Sequence, residues 1–141
     1  MAQGNGEEIA WIDALARLLI DGHEIILRDT GGLPGEHRAR LYSACARPFH
    51  TASGEELYRT VLLKAAALFH AIINDHPFAD GNKRTATAAA IVTLSAAGYL
   101  KSDPTTLQLR ILGELAVETA LPGSLPAEEI ADWFERILGP R

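Results

Sequence analysis

Between His76 and Arg84 the chain brings together an imidazole, a carboxylate, a carboxamide, a glycine and two fixed cations: His76, Asp80, Gly81, Asn82, Lys83 and Arg84. Imidazole titrates nearer neutrality than other ordinary side chains, which makes it the usual proton carrier in group transfer. A single carboxylate suits Mg²⁺, which binds through one or two protein carboxylates and completes its shell with phosphate and water. Glycine lets a ligand approach the backbone closely, and two cations neutralise phosphate charge. The combination points to phosphate chemistry. Each residue alone is ordinary, since Pro, Asp, Gly and Asn are common in turns and Lys-Arg pairs are common on surfaces. The ordered cluster carries the reading.

The elements that position this cluster are two apolar segments, residues 57–75 and 83–97, both with helical patterning. The cluster therefore occupies a helix-to-helix loop and the first turn of the second helix. Asn82 is a suitable N-cap, because its side-chain oxygen can accept from an orphan N–H. Lys83, Arg84 and Thr85 then fall in the first turn. The positive end of the helix dipole disfavours cations there by roughly 0.3–1 kcal/mol each. Their placement makes sense if an anion is to bind among the free N–H groups. His76 precedes Pro77, which turns it away from helical geometry and ends the first helix nearby.

Other sites built from similar residues fail on spacing. A P-loop needs Gly-x-x-x-x-Gly-Lys-Ser/Thr, whereas Asn82 precedes Lys83 and Arg84 follows it. The dispersed motifs of the protein-kinase fold are missing, and the chain is too short for that fold. His23-Glu24-Ile25-Ile26-Leu27 departs from the zinc pattern His-Glu-x-x-His at its last residue. His70 and His76 lack metal-ligand spacing and a third ligand, so no zinc site is read. His23 is expected to be a structural or pocket-rim group.

Composition narrows the class. The 141 residues suffice for one domain with one core. They are rich in Ala and Leu and poor in aromatics, which favours an all-α domain. The net charge of −5 offers no basic excess for binding nucleic acid directly. The single Cys45 excludes an internal disulfide, fits a reducing cytoplasm, and sits in an apolar pattern expected to bury it. No signal peptide is read at the N-terminus. The longest apolar run, residues 86–98, is too short to span a membrane.

Along the chain, residues 1–6 are expected to be disordered. A helix follows from Glu7, with Ile9, Ile12, Leu15 and Leu19 at helical spacing and Ala10, Ala14 and Leu18 on the same side. Two courses are open to it: a kink or break at Gly22, or continuation to Arg28 with Ile25, Ile26 and Leu27 as further core residues. Thr30-Gly31-Gly32-Leu33-Pro34-Gly35 is a loop. Residues 36–46 form a short helix with Leu41, Ala44 and Cys45 inward, ended by Arg47-Pro48. Residues 49–54 form a polar loop, and Ser53 or Gly54 caps the next helix. Its apolar face includes Leu57, Val61, Leu62, Ala65, Leu68, Phe69, Ile72 and Ile73. The helix after the cluster is Ala-rich and stops at Gly98. Together the two form a hairpin that holds the loop rigidly. Asp103-Pro104 starts a further helix to about Ala120. A turn over residues 121–126 leads to a last helix, residues 127–138, with Ile130, Trp133, Phe134 and Ile137 inward.

His76-Pro77-Phe78-Ala79-Asp80-Gly81-Asn82-Lys83-Arg84 resembles the Fic/Doc superfamily signature His-x-Phe-x-Asp/Glu-Gly-Asn-x-Arg. Lys83 is similar to the Doc, or death on curing, branch. The AMP-transferring Fic branch has a second Gly there and usually a further Arg where this chain has Thr87. The Gly-Gly-x-x-Gly segment after a helix carrying His23 also resembles Doc-type proteins. The resemblance implies a compact single-domain helical bundle over residues 1–141, with the 49–54 loop as a flap that docks the target. No residue in that loop matches a specific motif, His50 included.

The resemblance further implies a toxin that transfers the γ-phosphate of ATP to a protein hydroxyl, with elongation factor Tu as target and translation arrest as outcome. His76 is then the general base and Asp80 holds Mg²⁺. Gly81, Asn82, Lys83 and Arg84 bind the nucleotide phosphates, and Phe78 anchors the loop. A Phd-like antitoxin would act in trans, because Thr51-Ala-Ser-Gly-Glu55-Glu56 departs from the inhibitory Ser/Thr-x-x-x-Glu-Gly/Asn pattern of some Fic proteins. Two alternatives stay open: attachment of AMP to a protein hydroxyl, and a non-catalytic nucleotide- or partner-binding module.

Overall fold

The computed structural model describes residues 6–123 and 125–139. Within them are six α-helices and one short hairpin. They run α1 (Gly6–Thr30), α2 (Arg38–Ala46), a 3₁₀ turn (Arg47–Phe49), β1 (Thr51–Ala52), β2 (Glu55–Glu56), α3 (Val61–Asp75), α4 (Asn82–Ala96), α5 (Thr106–Ala120) and α6 (Ala127–Leu138). The expected all-α helical bundle is what forms. Residues 1–5, Ser124 and residues 140–141 lie outside the described residues; Gly6, expected among the disordered first residues, belongs to α1.

Helix α3 is the centre. It buries Ala65, Ala66, Ala67, Leu68, Phe69, Ala71, Ile72 and Ile73, so it is covered nearly all round, as a helix apolar on every side must be. Its most extensive neighbour is α4, followed by α6. The small side chains Ala86, Ala89 and Ala90 on α4 are fully or almost fully buried, which lets the two helices pack closely. On the α6 side, Phe69 meets Phe134 edge-to-face with ring centroids 5.1 Å apart, a favoured aromatic geometry. Arg47 pairs with Asp75 at 3.1 Å, tying the 3₁₀ turn to the end of α3.

Several boundaries differ from the sequence reading. Helix α3 begins at Val61, capped by the Thr60 hydroxyl, which accepts from the Leu63 N–H at 3.1 Å. Ser53 and Gly54 cap no helix. Both have positive φ, 53° and 80°, and they turn an antiparallel hairpin in register Thr51 with Glu56 and Ala52 with Glu55, as a mirror-image hairpin turn demands. Lys64 bonds Glu56 at 2.7 Å and anchors the hairpin to α3. Leu57 lies outside the helix and is exposed. The cap of helix α5 is Thr105, not Asp103. Thr105 and Gln108 exchange side-chain and backbone hydrogen bonds in a capping box, which satisfies two orphan donors where Asp103 would satisfy one.

Helix α1 runs unbroken through Gly22. Its buried line is Leu15, Ala16, Leu19 and His23, whereas Ile9, Leu18 and Ile25 are half exposed or more and Ala10 and Ala14 are exposed. Helix α2 begins at Arg38 with His37 as N-cap and buries Leu41, Ala44 and Cys45 as expected. In α6, Ile130, Phe134 and Ile137 are inward, but Trp133 is 42% exposed beneath the Arg136 guanidinium. The Gly98 terminus holds: Gly98 has φ 78°, and the N–H groups of Gly98 and Tyr99 reach the carbonyls of Ser95 and Leu94, closing the helix in a Schellman arrangement.

Two predictions follow from the core. Phe69→Ala removes the ring that joins α3 to α6, and is expected to destabilise the fold by about 3–5 kcal/mol in denaturant titration. Burial pushes the Cys45 thiol from 9.0 up to about 12. An unfolded thiol ionises first, so the stability present below pH 9.0 is lost progressively between pH 9.0 and about 12. Over that interval Cys45→Ala is expected to show a smaller loss of stability than the parent chain.

Candidate active site

The loop joining α3 to α4 leaves one helix and enters the next through left-handed backbone. His76, the C-cap of α3, has φ 50° and ψ 60°, so the residue before Pro77 avoids the helical region by going left-handed instead of extended. Gly81, the N-cap of α4, has φ 79°. Glycine takes that geometry without the roughly 1–2 kcal/mol it costs other residues.

Between these two ends the backbone groups are paired one by one. The Pro77 carbonyl accepts from the His37 N–H at 2.6 Å, and the Ala79 N–H donates to Gly35 at 3.0 Å. Glu36 and Phe78 thereby form a strand-like bridge. Asn82 reaches back over the loop. Its Oδ1 accepts from the Phe78 N–H at 3.0 Å, and its Nδ2 donates to the Phe78 carbonyl at 2.9 Å. Asn82 is thus the first residue of α4 and a clamp on Phe78, not the N-cap. Phe78 is buried, the core anchor it was expected to be.

His23 reaches the same loop from α1. It is 3% exposed, its ring stacks on Phe78 at 4.1 Å, and its Nε2 lies 2.6 Å from the Asp80 carbonyl. A carbonyl only accepts, so Nε2 carries the hydrogen. Of the two roles expected for His23, the structural one is observed; it does not line the cleft.

His76, Asp80, Gly81, Asn82, Lys83 and Arg84 all border one open cleft of ≈ 570 Å³. The six residues singled out in the sequence are thus neighbours in one cleft. Sequence reasoning assigned no site role to Thr30, Gly31, Gly32, Ile73 and Ala79, which border the same cleft. The Gly-Gly pair was the available signal: Gly32 has φ 116°, and a Cβ there would stand 2.9 Å from Asp80 Oδ2. Neither His50, the hairpin nor His70 contributes to the cleft lining. Burial pushes the His70 imidazole below its ordinary range.

Charge and backbone donors converge at the start of α4. The Thr85 N–H bonds the Gly81 carbonyl at 3.0 Å, so the N–H groups of Asn82, Lys83 and Arg84 precede the first intrahelical bond. The Gly81 N–H is directed to Asp80 Oδ1 at 2.9 Å. With the Asn82 carboxamide engaged by Phe78, what Asn82 offers an anion is its backbone. Lys83 and Arg84 are exposed, and among the described residues neither is in an ion pair within 4.0 Å.

Asp80 faces the cleft, with Oδ2 3.4 Å from the Leu33 N–H. Among the described residues no three His, Cys, Asp or Glu groups cluster as a metal cage. This single-carboxylate arrangement fits Mg²⁺ held between one carboxylate and the phosphates of a nucleotide. It does not fit a metal bound by protein groups alone.

Comparison with known proteins places the cleft within a matched region. The sequence model of the Fic/DOC family matches residues 11–94, more than half the chain, from α1 through most of α4. A protein named Toxin Doc, from Mycolicibacterium smegmatis, is 37% identical over 75 residues, covering 50% of this chain and 58% of that relative. The match thus spans little more than half of the curated relative's length.

Asn82→Ala leaves both backbone groups of Phe78 without partners. It is expected to cost about 1–3 kcal/mol in denaturant titration. Asn82→Asp, which keeps the acceptor for the Phe78 N–H, should lose less.

Proposed function

The chain belongs to the Fic/DOC family, and on that premise we propose that it is a Doc-type toxin that moves the γ-phosphate of ATP to a hydroxyl of a protein target. One observation carries this reading. Lys83 and Arg84 stand together at the N-terminus of α4, in the same cleft as His76 and Asp80. Two cations in a turn that disfavours them are explained by a polyphosphate anion seated among them.

In this reading the protein supplies position and charge, which is most of what phosphoryl transfer requires. Arg84 can grip two phosphate oxygens with its planar fork, and Lys83 adds a point charge. The backbone N–H groups at the start of α4 complete the anion site. Asp80 would hold Mg²⁺, which neutralises phosphate charge when bound. His76 takes the proton from the attacking Ser, Thr or Tyr hydroxyl. The bond from that oxygen to the γ-phosphorus forms as the bond to the β,γ-bridging oxygen breaks, and ADP leaves. Lys83 favours this chemistry over AMP transfer, because it fills the place that a second Gly leaves open in Fic-type proteins and so favours the reversed nucleotide, γ-phosphate toward His76.

The proposed target is elongation factor Tu, with translation arrest as the consequence and the cytoplasm as the location. Among the described residues no helix is long and apolar enough to cross a membrane. A Phd-like antitoxin would restrain the toxin in trans, and an acidic antitoxin segment over Lys83 and Arg84 would complement their charge.

Label transfer tests the proposal. The purified chain is incubated with Mg²⁺, elongation factor Tu and ATP labelled at the α- or the γ-phosphate. Label is expected on the target from γ alone, and His76→Ala should lower the rate by about 10²–10⁴-fold. Label from the α position would make the chain an AMP transferase despite Lys83.

A further inference from the structure

His23 reaches the motif loop from α1, and it is buried, polar and directed at a specific backbone atom. A leucine would fill the space beside Phe78 at less cost, because a buried polar group must be satisfied. His23 is satisfied by the Asp80 carbonyl at 2.6 Å, the carbonyl of the residue whose carboxylate faces the cleft. Its ring also covers Gly81, where an added Cβ would lie 3.4 Å from Cδ2 and Nε2. The same imidazole therefore touches Phe78, Asp80 and Gly81: the anchor, the carboxylate-bearing residue and the N-cap of α4.

From these contacts we propose that His23 is a positioning residue for the phosphate and metal site. The stack on Phe78 sets the depth of the loop, and the Nε2–H bond sets the rotation of the Asp80–Gly81 peptide. That peptide fixes two things. Its carbonyl end determines where the Asp80 carboxylate points, and its nitrogen end is the Gly81 N–H that holds Asp80 Oδ1 at 2.9 Å. No other hydrogen bond is seen at the Asp80 carbonyl among the described residues. Without His23 the peptide can rotate, and the carboxylate leaves the direction in which it can share a cation with a phosphate at the start of α4. The role rests on the phosphotransfer reading above, but the loop geometry it asserts does not.

Two variants separate the contacts. His23→Phe keeps a flat ring for Phe78 and removes the donor, whereas His23→Gln keeps an N–H of similar reach and removes the ring. Each is compared with the parent chain by site-resolved amide hydrogen exchange and by calorimetric titration with a non-hydrolysable ATP analogue, with Mg²⁺ and with EDTA. In His23→Phe the amides of residues 79–82 should exchange roughly tenfold faster, while the unfolding midpoint stays close to the parent's. The affinity gained from Mg²⁺ should fall by a similar factor, with affinity in EDTA unchanged. His23→Gln should restore both. Unchanged exchange and unchanged Mg²⁺ dependence in His23→Phe would overturn the assignment. So would a parallel shift of all amides with the unfolding midpoint in both variants, which is what a merely structural residue produces. If the parent chain binds no nucleotide under either condition, the functional reading falls, and the exchange data alone then decide for or against His23.

Discussion

The short connection between α3 and α4 must keep its backbone polar groups paired while two of its residues, Pro77 and Phe78, are buried. Unpaired buried amides cost more than a hydrogen bond returns, so the pairing dictates the surroundings. Residues 35–37 are drawn alongside to pair with Pro77 and Ala79. Asn82 folds back to serve both groups of Phe78. His23 is brought in from α1 to serve Asp80. The long first helix, the Gly-rich loop after it and the α3–α4 hairpin are thus held in register by one segment of chain.

The same economy explains why the cleft stays open to an anion. The side chains able to cap α4 are occupied elsewhere, and its N-cap is a glycine that brings no capping side chain. The exposed donors and the positive end of the dipole are left facing the cleft, with Lys83 and Arg84 beside them. A stability-driven sequence would place Asp or Glu in that turn. On the proposed reading, this is a local conflict between anion binding and helix stability of the kind expected at functional sites. The all-round burial of α3 and the close approach of Ala-rich α4 supply the rigidity on which such a site depends.

Where sequence reasoning departed from the structure, two local signals competed and one further contact chose between them. Ser53-Gly54 followed by two glutamates reads equally as a helix start or as a hairpin turn. Pairing of Thr51 with Glu56 and the Lys64–Glu56 bridge select the turn. On α1 the apolar residues form two overlapping stripes. The stripe through Ala16 and His23 is buried because Phe78 and Asp80 wait at its end, so the more hydrophobic Leu18 and Ile25 turn outward. Thr105 outcompetes Asp103-Pro104 as a helix start because Gln108 can complete a reciprocal cap.

The sequence by itself determined the helical class and picked out the six clustered residues that line the cleft. Periodicity is a short-range property, and the cluster lies within a single turn and its flanks. What only the tertiary structure decided is which atoms remain available. Asn82 carries the right side chain for a cap or for an anion, yet its carboxamide is engaged by Phe78. His23 has no motif partner in its own segment, yet it fixes the Asp80 peptide. Gly32 is needed because the Asp80 carboxylate comes close to it from the far side of the cleft. The His23 and Gly32 assignments depend on contacts between residues tens of positions apart, and the Asn82 clamp on how the loop folds back within four residues; local patterning carries no information about either.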